Sequence, residues 1–441
     1  MQYNLALDNP YLSISEIANI TNKSIKFIRR EVALGKLEST KKGNKTLINK
    51  SSFELWKNNI NTEYNEYINT VDCRLSEYIN KSKRKADIVN WVDIENEINN
   101  IDAWKDNSQI RDFNFIDLFT GAGGLSCGLT MAGMMPVGSI EIMPQAVETY
   151  KYNFSKIKGF TDNVTNKDIR ETSVKNDLIN SVKDRHIHLI AGGFPCQGFS
   201  MAGNRIVTDS RNSLYLDMLE IVKRIKPDFV LMENVEGLRS MLNGKIEEKI
   251  INDYKNIGYN INVTVLDSAD YGVPQFRRRV IFIGNRLGIK NFHPKPFLNE
   301  KSYKTVGDAL NKFLDMPENK EINHIFAKTS DSMKKRLENV PIGKSLYGNY
   351  SDAWKKVDWN KPSCTVKENH GGVNIHPILN RVMTPRELAK LQSFPDDFIF
   401  KGAKKWQLVQ IGNAVPCLLG KAIGLAILSS YDRKEKEKDN D

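Results

Sequence analysis

From Phe113 onward, short apolar runs of β character alternate with runs of helical spacing, and that alternation restricts the chain to an α/β architecture with a largely parallel sheet. The expected strands are Phe113 to Phe119, Pro136 to Glu141, His186 to Ala191, Asp228 to Glu233, Asn260 to Asp267 and Val280 to Asn285. Helices fill the intervals, among them Gly124 to Ala132, Pro144 to Phe154 and Leu214 to Ile225. Ligands bind such sheets beyond the carboxyl ends of the strands, so the residues just after each strand are where chemistry is expected.

The first such place is FIDLFTGAGGLS, Phe115 to Ser126, an apolar strand running into a glycine-rich turn and a helix. Gly121, Gly123 and Gly124 permit tight turning and close approach of a ligand, and a helix start offers unpaired N–H groups. About twenty residues on, the next strand ends at Glu141, where an acid would hydrogen-bond the ribose hydroxyls of a nucleoside cofactor. The loop lacks the GK[ST] ending of a phosphate-binding loop, which disfavours ATP. Asp168 is a third candidate, placed to accept from an adenine amino group; without its neighbours it reads rather as an ordinary surface acid.

The second place is AGGFPCQGFS, Ala191 to Ser200. Two glycines free the backbone, Pro195 fixes the geometry, and Cys196 stands in a strand-end loop rather than inside an apolar run. An accessible thiol of that kind can be activated as a nucleophile. A second strand delivers Glu233-Asn234-Val235 to the same edge, where an acid can protonate or hydrogen-bond a ring nitrogen. In QFRRR, Gln275 to Arg279, alternate residues Arg277 and Arg279 would share one direction in an extended chain, so both guanidiniums could point into the site; a solvated basic turn is the other common reading of an RRR triplet.

The rest of the composition narrows the setting. Among 441 residues, 64 Lys+Arg face 53 Asp+Glu, a net charge of +11 that suggests an anionic partner without naming it. The five cysteines, at 73, 127, 196, 364 and 417, lie more than fifty residues apart, which excludes a disulfide framework and any CxxC zinc knuckle, so no metal is expected. MQYNLALDNP is not a secretory signal, and no apolar run approaches ~18 residues, the best one being interrupted by Lys421, so no membrane association is expected and the location is the cytoplasm.

Residues 1–60 read as a unit of their own, with ten Lys/Arg against five acids. Ser13 and Glu16 have capping-box spacing before a helix over Ile14 to Ile20. A second helix, Ser24 to Leu34, carries Lys26, Arg29 and Arg30, and Leu37 to Ile48 forms a hairpin turning at Gly43-Asn44 with lysines 41, 42 and 45 at its tip. The pattern resembles a winged helix-turn-helix, with Arg29 and Arg30 entering the major groove and the wing meeting phosphate. Residues 61–112 are expected to be a helical, mostly solvated connector; over 61–110 there are six Lys/Arg and ten acids.

FIDLFTGAGG, GGFPCQGFS, ENV, QFRRR, RVMTPRELAKLQSFP (Arg381 to Pro395) and QIGNAVP (Gln410 to Pro416) follow the order and rough spacing of the DNA cytosine-5 methyltransferases, which the chain resembles from about Phe113 to Ile427. The resemblance implies a Rossmann-like methyltransferase domain over 113–290, a smaller target-recognition region over 291–380, a return to the catalytic domain over 381–430 and a charged tail over 431–441. Cys196 is implied as the nucleophile at C6 of a target cytosine, Glu233 as the group at N3 and Arg279 as the donor to O2, with Arg277 in support. Phe119, Gly121, Gly123, Gly124, Glu141, Asp168, Pro195 and Asn413 are implied as contacts to S-adenosylmethionine. Two departures are Lys167, where the family usually has glycine, and Ile142, where an aromatic residue often stacks on adenine.

The family's target is duplex DNA whose cytosine is rotated out of the helix. The polar loop Met201 to Asn212 resembles its catalytic loop, and Gln197, Ser200 and Arg205 are the expected DNA contacts. Sequence choice falls to Phe292 to Asn380, with 14 Lys/Arg against 10 acids. A tRNA-methylating branch shares PCQ and ENV; the long variable segment and the N-terminal unit favour duplex DNA. The implied setting is a monomeric enzyme of a restriction–modification system, paired in function with a restriction endonuclease, whose extension represses its own operon or adds DNA grip.

Overall fold

The computed structural model of the chain describes residues 10–21, 25, 28–29, 32, 37–43, 45–57, 89–98, 104, 110–195, 214–348, 354–367 and 374–438. The chain divides into two compact units, Met1–Ala86 and Asp87–Asp441.

In the first unit, β1 (Tyr11–Ser13) leads into α1 (Ile14–Thr21), followed by β2 (Ser39–Lys42), β3 (Lys45–Asn49) and a helix α2 over residues 50–57. The capping box is formed: the Glu16 amide donates to Ser13 Oγ at 3.2 Å and the Ser13 amide to Glu16 Oε2 at 2.7 Å. These bonds from Ser13 hold the Glu16 carboxyl below its usual range. The hairpin turns at Gly43, whose φ of 62° suits glycine, and the antiparallel sheet has the order β1-β3-β2. Ile17, Ile28, Leu37, Ile48, Phe53 and Trp56 form the core. Of the expected second helix, residues 25, 28, 29 and 32 are helical and Arg29 is exposed, while Arg30 lies outside the described residues.

The second unit is built on a seven-stranded sheet of order β10-β11-β9-β8-β5-β6-β7. Its strands are β5 (Asn114–Leu118), β6 (Met135–Ile140), β7 (Val164–Thr165), β8 (Leu189–Gly192), β9 (Phe229–Val235), β10 (Asn260–Asp267) and β11 (Arg278–Asn285). Strands β5 to β9 are mutually parallel, and β11 runs against both β9 and β10. The crossovers use α4 (Gly124–Met131), α5 (Pro144–Phe154), α6 (Thr172–Val182), α7 (Leu214–Ile225) and α8 (Lys245–Asn256). One apolar layer packs α6, α7 and α8 on one face, through residues such as Val174, Met218 and Ile250. On the other face Leu125 and Leu129 of α4 meet Leu419, Ile423 and Ile427 of α13 (Cys417–Lys438).

Glycine makes the α4–α13 seam possible. A Cβ on Gly128 would stand 2.3 Å from Cys417 O and 2.6 Å from Gly420 Cα, and one on Gly424 would stand 2.8 Å from Ala132 Cβ. The segment Lys404–Lys434 is apolar and long enough to cross a membrane by composition, but 89% of its apolar window is buried inside the fold, as expected of a core helix.

Three expectations are corrected here. Part of the supposed solvated connector belongs to the second unit: β4 (Asn90–Val92) pairs in parallel with β12 (Phe292–Pro294), and α3 (Glu95–Ile98) follows. Lys421 of α13, buried and pushed down to about 8 by that burial, donates to Glu97 O and Ile98 O at 3.1 and 3.2 Å. Residues 291–380 are not a separate unit. Val306 and Leu310 of α9 (Val306–Leu310), with Phe313, join the core made by Leu388 and Leu391 of α11 (Pro385–Leu391), while α10 (Asp331–Glu338) has a small cluster of its own with Val340 and Ile375. The charged tail begins later than expected, because Tyr431 packs on Phe113 and Asp432 pairs with Arg111.

Candidate active site

Strand order reverses at β5, which has β6 on one side and β8 on the other. Leu118 of β5 and Gly192 of β8 are register partners, so the glycine turn and the loop toward Cys196 leave the sheet side by side. This is the crevice where doubly wound sheets bind ligands.

On one side of it, Phe119 adopts φ 59° and Gly121 φ 56°. A non-glycine residue in this region is strained, and such strain concentrates at functional turns. The Gly121 amide donates to Glu141 Oε2 and the Met143 amide to Oε1, both at 2.8 Å, which fixes the carboxylate at the end of β6. Burial pushes the Glu141 carboxyl above its usual range despite these bonds. Space around the Gly121 α-carbon is open, and Ile142 is 62% exposed beside Glu141. An open glycine turn, an oriented carboxylate and an exposed apolar side chain fit a nucleoside cofactor.

The neighbouring glycines also serve packing. A Cβ on Gly123 would stand 2.7 Å from the Tyr150 and Phe154 rings, and one on Gly124 would stand 2.3 Å from Val415 O. Glycine at 124 is therefore required for packing as well, because it lets α4 meet the C-terminal segment. Asp168 faces Arg170, whose Nε lies 3.0 Å from both carboxylate oxygens and holds the carboxyl below its usual range. Pro195 and Asn413, the last residue of α12 (Lys404–Asn413), are exposed.

On the other side, Glu233 of β9 and Arg279 of β11 converge, with Arg279 Nε 2.8 Å from Glu233 Oε1 and both side chains largely buried. Glu233 Oε2 faces the Gly193 loop, where a Cβ would lie 3.1 Å from it. Asn234 joins the two loops: its Nδ2 donates to Phe194 O at 2.8 Å and its Oδ1 accepts from the Val235 amide at 2.9 Å. Cys196, Gln197, Ser200 and Arg205 lie outside the described residues.

Arg277, one residue before β11, lies within reach of the charges of Arg279 and Glu233 but commits its guanidinium to main-chain oxygens. Its guanidinium is buried, Nη1 donating to Val366 O at 2.8 Å and Nη2 to Gly412 O at 3.0 Å. Burial, and then the nearby Arg279 charge, drive its pKa well down against the opposing pull of Glu233. Beside it, Gln275 Nε2 donates to Leu391 O and Gln392 Oε1, and its Oε1 accepts from the Val366 amide. Gln275 and Arg277 thus bind the end of the variable segment and the C-terminal motif to the base of β11.

Sequence reasoning passed over Asp117 and assigned Asn234 no role. Asp117 lies beneath the glycine turn, 1% exposed, and accepts from Thr120 Oγ1 at 2.9 Å and Ser126 Oγ at 2.5 Å. Tyr150 OH donates to Ser126 Oγ at 3.2 Å. An acid inside the apolar strand FIDLF was the available signal. His186, His188 and Asp228 gather at the opposite, amino-terminal end of the sheet. There the Asn114 amide donates to His188 Nδ1 at 3.1 Å, an assignment that puts the ring proton on Nε2 and leaves that ring no nitrogen for a cation.

A family model described as C-5 cytosine-specific DNA methylase matches residues 113–429. The type II methyltransferase M1.HphI of Haemophilus parahaemolyticus is 40% identical over 329 residues, 71% of this chain and 86% of that protein. M.DdeI of Desulfomicrobium norvegicum is 33% identical over 369 residues, 70% of this chain and 87% of that protein. Among solved structures, one described as a DNA modification methyltransferase encoded within an E. coli prophage has a TM-score of 0.60 and 26% identity, covering 73% of this chain and 99% of its own. The S. pombe Dnmt2 methyltransferase, with a TM-score of 0.53 and 20% identity, is alike in fold.

Proposed function

Because the chain belongs to the C-5 cytosine-specific DNA methylase family, and is a DNA cytosine-5 methyltransferase using S-adenosylmethionine, we propose that it methylates a flipped cytosine through a covalent adduct of Cys196. The reading rests above all on Glu233 and Arg279 meeting at the carboxyl edge beside Phe194. C5 of cytosine is too weak a nucleophile to take a methyl group unaided. Cys196 as thiolate adds to C6, Glu233 Oε2 shares a proton with N3, and an Arg279 N–H donates to O2. Density pushed from C6 then makes C5 nucleophilic. S-adenosylmethionine supplies the electrophilic methyl group when bound. Loss of the C5 proton expels the thiolate by β-elimination and restores Cys196.

Gly121, Glu141 and Ile142 would hold the nucleoside end of the cofactor, with Phe119, Gly123, Asp168, Pro195 and Asn413 around it. Gln197, Ser200 and Arg205 would close on the DNA. Base-edge readout falls to residues 291–380, and the first unit acts as a winged helix-turn-helix presenting Arg29 and Arg30. The setting is a cytoplasmic monomer that protects DNA from a cognate endonuclease. Bisulfite sequencing of DNA from expressing cells should reveal one methylated word. Duplex carrying 5-fluorocytosine at that word should trap the wild-type protein covalently and leave Cys196→Ala untrapped; trapping of the variant would refute the adduct.

A further inference from the structure

Along α5 lies a cationic surface that the methyl-transfer site does not use. Tyr152, 40% exposed, has the Lys401 ammonium 3.4 Å and the Lys156 ammonium 4.2 Å from its ring centroid. Trp406, 37% exposed, has Lys405 at 5.3 Å. Lys151 on the same helix is paired with Asp162 at 2.9 Å, and Glu148 is an exposed acid there. Among the described residues, Lys156, Lys401 and Lys405 pair with no carboxylate.

The surface is rigidly built. Asn153 exchanges two hydrogen bonds with the Ile399 main chain, at 2.8 and 2.9 Å. The Lys401 amide donates to Thr149 Oγ1 at 2.8 Å, and Gln410 Nε2 donates to Lys401 O at 3.0 Å. Thr149 in turn donates to Gln410 Oε1 at 2.6 Å. Gly402, at φ 85°, fits against Gln145 where a Cβ would lie 2.8 Å from Cγ. Buried Asn153, Thr149 and Gln410 therefore fix the loop that carries Lys401 over Tyr152.

We propose that this face is a second, sequence-independent contact for the phosphodiester backbone of duplex DNA, outside the catalytic cleft. Ammonium groups already rest on the rings, so the rings act as platforms for charge and the lysine tips remain for phosphate oxygens. The proposal rests on the protein's action on duplex DNA, and the test separates the two.

The full chain and the triple variant Lys156→Gln, Lys401→Gln, Lys405→Gln are compared on two duplexes. One is short and carries the methylated word; the other is long and lacks it. On the long duplex, three lost phosphate contacts at about 0.9 each should flatten the slope of log K against log salt by about two to three. Between about 50 and 200 mM salt, wild-type affinity should therefore fall roughly 40-fold further than the variant's. Methylation of the short duplex should keep its kcat and KM. Overlapping salt curves on the long duplex would overturn the proposal, even if binding to anionic phospholipid vesicles fell. An equal loss on the short duplex would overturn it too, because the contact would then belong to the cleft. Failure of the wild-type chain to methylate DNA would strike the functional reading instead.

Discussion

Replacing Asp117 by asparagine should change how the protein's stability depends on pH. Burial pushes the Asp117 carboxyl up to about 7 from its ordinary 3.8, against the lowering effect of the Ser126 and Thr120 hydroxyls. Because the folded value exceeds the unfolded one, the native state holds this proton more tightly. The stabilisation is complete below 3.8 and is lost as pH rises through about 7. At 1.36 kcal/mol per unit, the loss between about pH 5 and pH 8 comes to about 2–3 kcal/mol. An amide in place of the carboxyl would keep an acceptor for the two hydroxyls and carry no proton to lose. Denaturant unfolding of both proteins at several pH values gives the difference directly, with the other titrating groups cancelling. The Asp117→Asn variant should gain about 2–3 kcal/mol on wild type across that range. A difference that stays constant with pH would refute the assignment of a raised carboxyl beneath the glycine turn.

Gly128→Ala must push α4 off α13, because its Cβ would meet backbone atoms at 2.3 to 2.6 Å; a loss of about 3 kcal/mol should appear as a lowered denaturation midpoint. Asn234→Ala leaves Phe194 O without its buried donor, worth about 1–3 kcal/mol. Its kcat should drop about 10- to 100-fold while equilibrium titration shows an unchanged cofactor Kd, since Gly121 and Glu141 are untouched. Deleting residues 1–60 should leave the methylated word unaltered by bisulfite sequencing; a different word would move base readout into the first unit.

Much of the catalytic body was legible along the chain, because strands and amphipathic helices announce themselves by local period. Asn260–Asp267, Pro144–Phe154 and Leu214–Ile225 fall where the sequence places them. The glycine turn at Gly121, the acid Glu141 closing β6 and the ENV segment closing β9 are likewise local features. Strand direction was less accessible: β11 opposes its neighbours, and nothing in Val280 to Asn285 distinguishes it from a parallel strand.

What escaped the sequence depends on partners far away in it. Arg277 reads like Arg279 until Val366 O and Gly412 O, about ninety and more than a hundred residues on, are brought to its guanidinium. Gly124 reads like Gly121 until Val415 O fills the space its Cβ would take. Asn90–Val92 reads like connector until Phe292–Pro294 supplies an edge to pair with. Local sequence determines which dihedral angles and which apolar period a segment prefers, and hence the elements and the residues at their ends. Which of two similar side chains meets a ligand and which is buried against main chain is decided by long-range packing, where a donor must find its acceptor or remain in water.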